Sequence, residues 1–113
     1  MTGSALHGYA SMTPVELSER LALGDRLTVI DVREPLELEL AKLPGAMHVP
    51  LGMLPGRIGE LDRDDPLVLV CHHGIRSAAA CAWLVREGFS NVTNLSGGID
   101  AWSTDVDPGV PRY

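Results

Sequence analysis

The stretch Cys71-His72-His73-Gly74-Ile75-Arg76-Ser77 gathers a thiol, a guanidinium, a hydroxyl and two imidazoles within a few positions. It follows the apolar run Leu67 to Val70 and precedes an alanine-rich segment, so the cysteine stands where a strand stops and a helix begins. A chain making that turn aims successive backbone N–H groups at one point, and the first helical turn adds unpaired donors and the positive end of its dipole. A thiol placed there ionises more readily, because its anion gains hydrogen bonds and a favourable potential. Gly74 permits the tight backbone such a cradle needs. Arg76 offers a fork of donors to an anionic substrate or leaving group, and Ser77 can cap the helix or donate to the sulfur. The chemistry these residues suit is nucleophilic attack by sulfur, with a covalent intermediate.

Each candidate has a plainer reading beside it. A free cysteine often only packs, but packing would be served equally well anywhere along the preceding run. The company of Gly, Arg and Ser at the junction favours the reactive reading for Cys71. Cys81 lies mid-helix in "AAACAW", where core packing is the better account. Asp31 and Arg33 close the run "LTVIDV" and so belong at the same sheet end as Cys71. Asp31 can accept hydrogen bonds from the active loop or from an arginine, and Arg33 can add positive potential at the mouth. The alternative is a structural ion pair, and the residues alone leave both open. His72 and His73 flank the thiol, but structural zinc needs four ligands and no spaced partner occurs, so neither metal nor cofactor is expected. Their backbone N–H groups are expected to matter most, with the rings at the rim. His7 and His48 read as ordinary, and Trp83 and Trp102 as packing residues.

Short helices and strands must position this loop. Thr13-Pro14-Val15-Glu16 reads as a helix start, with Thr13 as N-cap, Pro14 at the first helical position and Glu16 closing a capping box. Leu17 and Leu21 give that helix an apolar face, and Gly24 ends it. Leu27 to Val32 reads as a strand covered on both sides. A short helix is expected over Glu34 to Leu40, a strand over Ala46 to Val49, and weak helix over Leu54 to Leu61. The strand Leu67 to Val70, the helix Arg76 to Glu87 and the strand Asn91 to Leu95 follow. Gly97-Gly98 then precedes a short helix over Ile99 to Trp102, either bringing the backbone against the Cys71 loop or simply making a turn. Such alternation implies an α/β fold with a parallel sheet between helices, and ligands in these sheets bind beyond the carboxyl ends of the strands.

Composition bounds the rest. A chain of 113 residues with 45% hydrophobic content supports one domain and one core. Residues 1–113 are therefore expected to form a single domain, with its core over about 13–102 and a tail over 103–113 that is extended on the surface or mobile. The net charge of −6, with carboxylates scattered, disfavours nucleic acid and anionic membrane as partners. The start "MTGSALHGYASM" lacks the pattern of a signal peptide, and no apolar run reaches spanning length. Two cysteines make no disulfide framework, so a reducing cytoplasm is the expected setting.

The chain resembles the rhodanese superfamily of sulfurtransferases, through "CHHGIRS" together with "VIDVREPLE", "LPGAMHVPL" and "LVREGFSNVTNLSGGIDAW", in the family's order. The resemblance covers about Thr13 to Trp102. It implies a three-layer fold with a five-stranded parallel sheet, and Cys71 as the nucleophile that carries a persulfide. It also implies an active loop from Cys71 to Arg76 whose amides surround the sulfur. Four residues separate Cys71 from Arg76, which is similar to the sulfurtransferase type; cysteine phosphatases keep one more, widening the cradle for a tetrahedral phosphate. Family members often have Gly-His where this chain has Ala41-Lys42, which is expected to alter the pocket rim or helix packing. The implied reaction moves sulfane sulfur from a small anion such as thiosulfate, or from a protein persulfide, to a thiophilic acceptor. The alternative is a sulfur carrier or interaction module with little turnover on small molecules.

Overall fold

The computed structural model describes residues 8–113. His7 and most of the amino-terminal stretch read for a signal lie outside them. Strand β4 (Leu67–Val70) is buried along its whole length, as a strand between two helical layers must be. Its side chains alternate. Leu67, Leu69 and then Cys71 join a core with Ile30, Val32, Leu54, Ala80, Cys81 and Leu84. Val68 and Val70 face the other way, into a core with Leu17, Val29, Leu95, Ile99 and Trp102.

Five parallel strands make the sheet, in the order β1-β5-β4-β2-β3. The other four are β1 (Ala10–Met12), β2 (Thr28–Asp31), β3 (Met47–His48) and β5 (Val92–Leu95). Register pairs Asp31 with Val70, so β2 and β4 end together and the loops after Asp31 and Cys71 emerge side by side. The helices are α1 (Pro14–Ala22), α2 (Pro35–Leu40), α3 (Leu54–Arg57), α4 (Ile75–Arg86) and α5 (Gly98–Asp105). Thr13 and Glu16 form the reciprocal capping box at the start of α1. Among the described residues, no helix is long and apolar enough to cross a membrane.

Two features depart from the sequence reading. The edge strand β1, paired to β5, was not read from the residues, because three positions are too few for a periodic pattern. The last helix does not stop at Trp102 but continues to Asp105, with the Ser103 and Thr104 hydroxyls donating to carbonyls one turn back. The segment beyond it is fastened. Val110 is buried in the second core and Arg112 bonds Asp100 in two places, so of the two states expected for the tail the segment after Asp105 has the surface-bound one.

Gly97 and Gly98 bring α5 against the chemistry. Both have positive φ, and they aim the first helical turn at the loop after β4. Ile99 N–H donates to the Cys71 carbonyl at 2.9 Å, and Asp100 N–H to the His72 carbonyl at 3.1 Å. A Cβ on Gly98 would drive into those same two carbonyls. Gly98→Ala is therefore expected to destabilise the fold by about 2–3 kcal/mol. Gly56→Ala, in the open helical setting of α3, should instead gain about 0.5–1 kcal/mol. Urea denaturation of both variants checks the opposite signs.

Candidate active site

Cys71 leaves β4 with its sulfur turned into the start of α4. The residue is 1% exposed. Gly74, the N-cap of α4, holds φ at 98°, and its N–H reaches Cys71 Sγ at 3.1 Å. Ser77 Oγ lies 3.3 Å from the sulfur and 2.6 Å from Asn94 Oδ1, while Asn94 Nδ2 donates to the Gly74 carbonyl at 3.1 Å. A hydroxyl has one proton to give. In the resting thiol it goes to Asn94 over the shorter contact, and Ser77 Oγ can accept from the S–H. Ionisation of the thiol lets the hydroxyl rotate and donate to sulfur instead. Charge at this point also meets the positive end of a twelve-residue helix.

A chain of polar side chains runs past the loop from α2. Arg76 Nη1 and Nη2 grip Glu37 Oε1 and Oε2 at 2.6 and 2.8 Å. Glu37 also accepts from the Glu34 N–H and from the Tyr113 hydroxyl at 2.7 Å. Arg76 thus holds the Glu37 carboxyl well below the usual carboxylate range, to about 2, against burial and with help from Tyr113. The Tyr113 hydroxyl accepts in turn from Arg33 Nη1 at 2.9 Å, and its ring stacks on His72 at 3.8 Å between centroids.

Asp31 and Arg33 end up together but away from the sulfur. Asp31 is paired with Val70 and so shares its sheet face, opposite to that of Cys71. Arg33 is fully buried and bonds both Asp31 oxygens, the Glu37 and Ala41 carbonyls and Tyr113. Burial works against its charge, yet the hydrogen bonds to Asp31 and Tyr113 outweigh that and raise its pKa. The geometry is that of the ion-pair alternative, a strut between β2 and α2 and not a free cation at the mouth. Ala41 supplies one of the strut's acceptors, and Lys42 lines a cavity of about 280 Å³ beside Asp31 and Pro44, apart from Cys71.

The His72 ring is half-buried between the His73 and Tyr113 rings. Burial, followed by the neighbouring His73, pushes the His72 ring below the ordinary imidazole value. His73 is exposed, with Nδ1 3.9 Å from Asp100. Ile75 is exposed on the loop itself. Among the described residues, no group of three or more His, Cys, Asp or Glu is placed to hold a metal ion. Cys81 is buried in the first core, and burial pushes its thiol up to about 12, so it is inert at neutral pH. Trp102 is buried, and Trp83 is half-buried beside Leu51 and Leu54.

Asn94, Glu37 and Tyr113 were missed as site residues, while Gly98 takes the first of the two roles read for Gly97-Gly98, against the Cys71 loop. Asn94 had a signal: a polar side chain inside a buried strand needs partners. Glu37 had none beyond its place in "REPLE". Tyr113 meets Arg33 only across 80 positions of chain.

A family model described as "Rhodanese-like domain" matches residues 13–105. A protein named simply sulfurtransferase, from Allochromatium vinosum, is 39% identical over 77% of this chain and 81% of its own. A probable adenylyltransferase/sulfurtransferase of Mycobacterium tuberculosis is 37% identical over 92% of this chain, which spans only 27% of that protein. The crystal structure of a rhodanese-related protein from Thermoplasma volcanium is 33% identical and superposes with a TM-score of 0.79, covering 93% of this chain and all of that one.

The geometry generates two expectations. Ser77→Ala removes the hydroxyl beside the sulfur and should slow alkylation of Cys71 by iodoacetamide roughly three- to fivefold, the effect of one hydrogen bond worth ~1 kcal/mol. The second concerns pH. The Glu37 carboxyl titrates near 4.5 when unfolded and at about 2 when folded, so its pairing stabilises the fold fully above 4.5 and is lost as the pH falls through 2. Glu37→Gln should therefore narrow its stability deficit against wild type across that window, as read by denaturation at stepped pH.

Proposed function

The chain belongs to the rhodanese family, and we propose that within it Cys71 is the nucleophile of a sulfurtransferase, carrying sulfane sulfur as a persulfide. The observation that carries this reading is the Cys71 sulfur seated at the start of α4, with the Gly74 N–H on it at 3.1 Å. In the first half-reaction the Cys71 thiolate attacks the outer sulfur of a donor, either a small anion such as thiosulfate or a persulfide borne on a protein. The donor's S–S bond breaks, and sulfite or a thiolate leaves with the electron pair. The transferred sulfur stays on Cys71 as an anion facing the loop amides of His72 to Arg76. In the second, a thiophilic acceptor attacks that outer sulfur and the Cys71 thiolate leaves. Two half-reactions that share one covalent intermediate give ping-pong kinetics.

Ser77 fits this cycle because its hydroxyl can serve either the thiol or the anion. Asn94 is its counterpart, its Oδ1 accepting the hydroxyl's hydrogen bond when the sulfur does not. Ile75 and Ser77 complete the loop as exposed rim and buried floor. The four residues between cysteine and arginine match the spacing that the family resemblance links to a ring sized for a sulfur atom, where cysteine phosphatases keep five.

A second reading, a sulfur carrier serving a cofactor-synthesis or thiolation pathway, is favoured by one finding. The match to the Mycobacterium tuberculosis adenylyltransferase/sulfurtransferase occupies 27% of that protein, leaving most of it to other work. Intact-mass analysis after incubation with thiosulfate, or with a persulfidated thiol, followed by desalting should reveal a gain of one sulfur atom. Cys71→Ser should abolish the gain and Cys81→Ser should keep it. No gain from either donor, or a gain that survives loss of Cys71, overturns the proposal.

A further inference from the structure

The arginine of the active loop is already paired with a carboxylate. Both its terminal nitrogens are committed to the Glu37 carboxylate, which is held from behind by the Tyr113 hydroxyl and the Glu34 N–H. The other guanidiniums around the loop are matched in the same way, Arg33 to Asp31 and Arg112 to Asp100. The loop therefore sits among three guanidiniums, each neutralised locally by one carboxylate, in a chain whose overall charge is −6. A small dianion approaching Cys71 meets loop amides but no uncompensated arginine. The rim beside the Arg76–Glu37 pair is apolar: Ile75 precedes Arg76, Leu36 precedes Glu37, and both are exposed.

We propose that Glu37 is the specificity-determining positioning residue of this site. By holding Arg76 it withdraws that charge from free anions and sets the site for a donor whose single charge lies on the persulfide itself, carried on a peptide or protein, over a small dianion such as thiosulfate. This assignment rests on the sulfurtransferase reading above. Glu37 acts through Arg76 and does not touch the transferred sulfur. An incoming persulfide keeps its charge on the atom that enters the amide ring, while its apolar carrier covers Ile75 and Leu36. Thiosulfate must instead bring its sulfonate charge against a neutralised rim and a negative molecule.

Glu37→Gln tests this cleanly. Glutamine still caps α2 at the same position, so the helix keeps its start while the carboxylate charge is removed. The first readout is independent of sulfur transfer: the ratio of Cys71 alkylation rates by iodoacetate and iodoacetamide, reagents that differ in charge. In Glu37→Gln this ratio should rise about fivefold at low salt and relax towards wild type as salt screens the freed arginine. Tyr113→Phe, which leaves the carboxylate but removes one of its donors, should move it less and in the same direction. The second readout is donor preference. Wild type should load faster from the persulfide of N-acetylcysteine amide than from thiosulfate, and Glu37→Gln should shrink that preference about fivefold, mainly through a lower KM for thiosulfate. An unchanged alkylation ratio, or a preference unmoved by the substitution, overturns the role of Glu37. If neither donor loads Cys71 in either protein, the sulfurtransferase reading fails and the donor assignment fails with it; a shifted alkylation ratio would then still locate the charge control at Glu37.

Discussion

The site depends on backbone polarity gathered from two helix starts onto one six-residue loop. From below, α4 offers its N-cap amide and dipole to the Cys71 sulfur. From the side, α5 donates the Ile99 and Asp100 N–H groups of its first turn to the Cys71 and His72 carbonyls. Those carbonyls would otherwise be buried without partners, and tying them down fixes which way the intervening amides face. Gly98 is a position where a side chain would collide with backbone, and at Gly74 a side chain would be tight against the backbone of Leu95 and Gly97; both hold positive φ, which residues other than glycine rarely adopt. A rigid ring of this kind needs no reorganisation when charge appears on sulfur.

Side-chain charge plays a different part from the one that residue types suggest. Three arginines stand near the loop, which looks like an anion trap in a list of residues. In space each is bound to its own carboxylate, and Tyr113 links two of the pairs by accepting from Arg33 and donating to Glu37. The attraction left for an anion is that of backbone dipoles, which act at short range and only inside the ring. Under the proposed sulfur transfer through Cys71 this is an advantage, because a free guanidinium would hold the anionic product as tightly as the substrate.

Much of this was legible in the sequence where local rules decide. The α1 capping box, the apolar run of β4 and the Cys-to-Ser loop each declare themselves within a few residues, and the cysteine's place at a strand end followed from alternation of strands and helices. The five-strand count came from resemblance, not from the residues, because β1 is too short to show a period. The partners of Glu37, Asn94 and Tyr113 were out of reach for a different reason, even though a polar Asn94 in a buried strand signals that it needs some. Their partners lie 39, 17 and 76 or 80 positions away; the register of β4 with β2 and β5 brings the first two together, and the fastened C-terminal segment delivers Tyr113. Asp31 and Arg33 show the limit from the other side. Their strand end was right, but the alternation of side chains put them on the far face from Cys71.

The most direct test of the whole account is a crystal structure of the protein after loading with sulfane sulfur. It should contain one additional sulfur bonded to Cys71 Sγ and ringed by loop N–H groups at about 3.2–3.6 Å, with α4 and α5 in place. A loaded protein whose extra sulfur sits on another residue, or whose loop must unwind from α5 to admit it, would contradict the account.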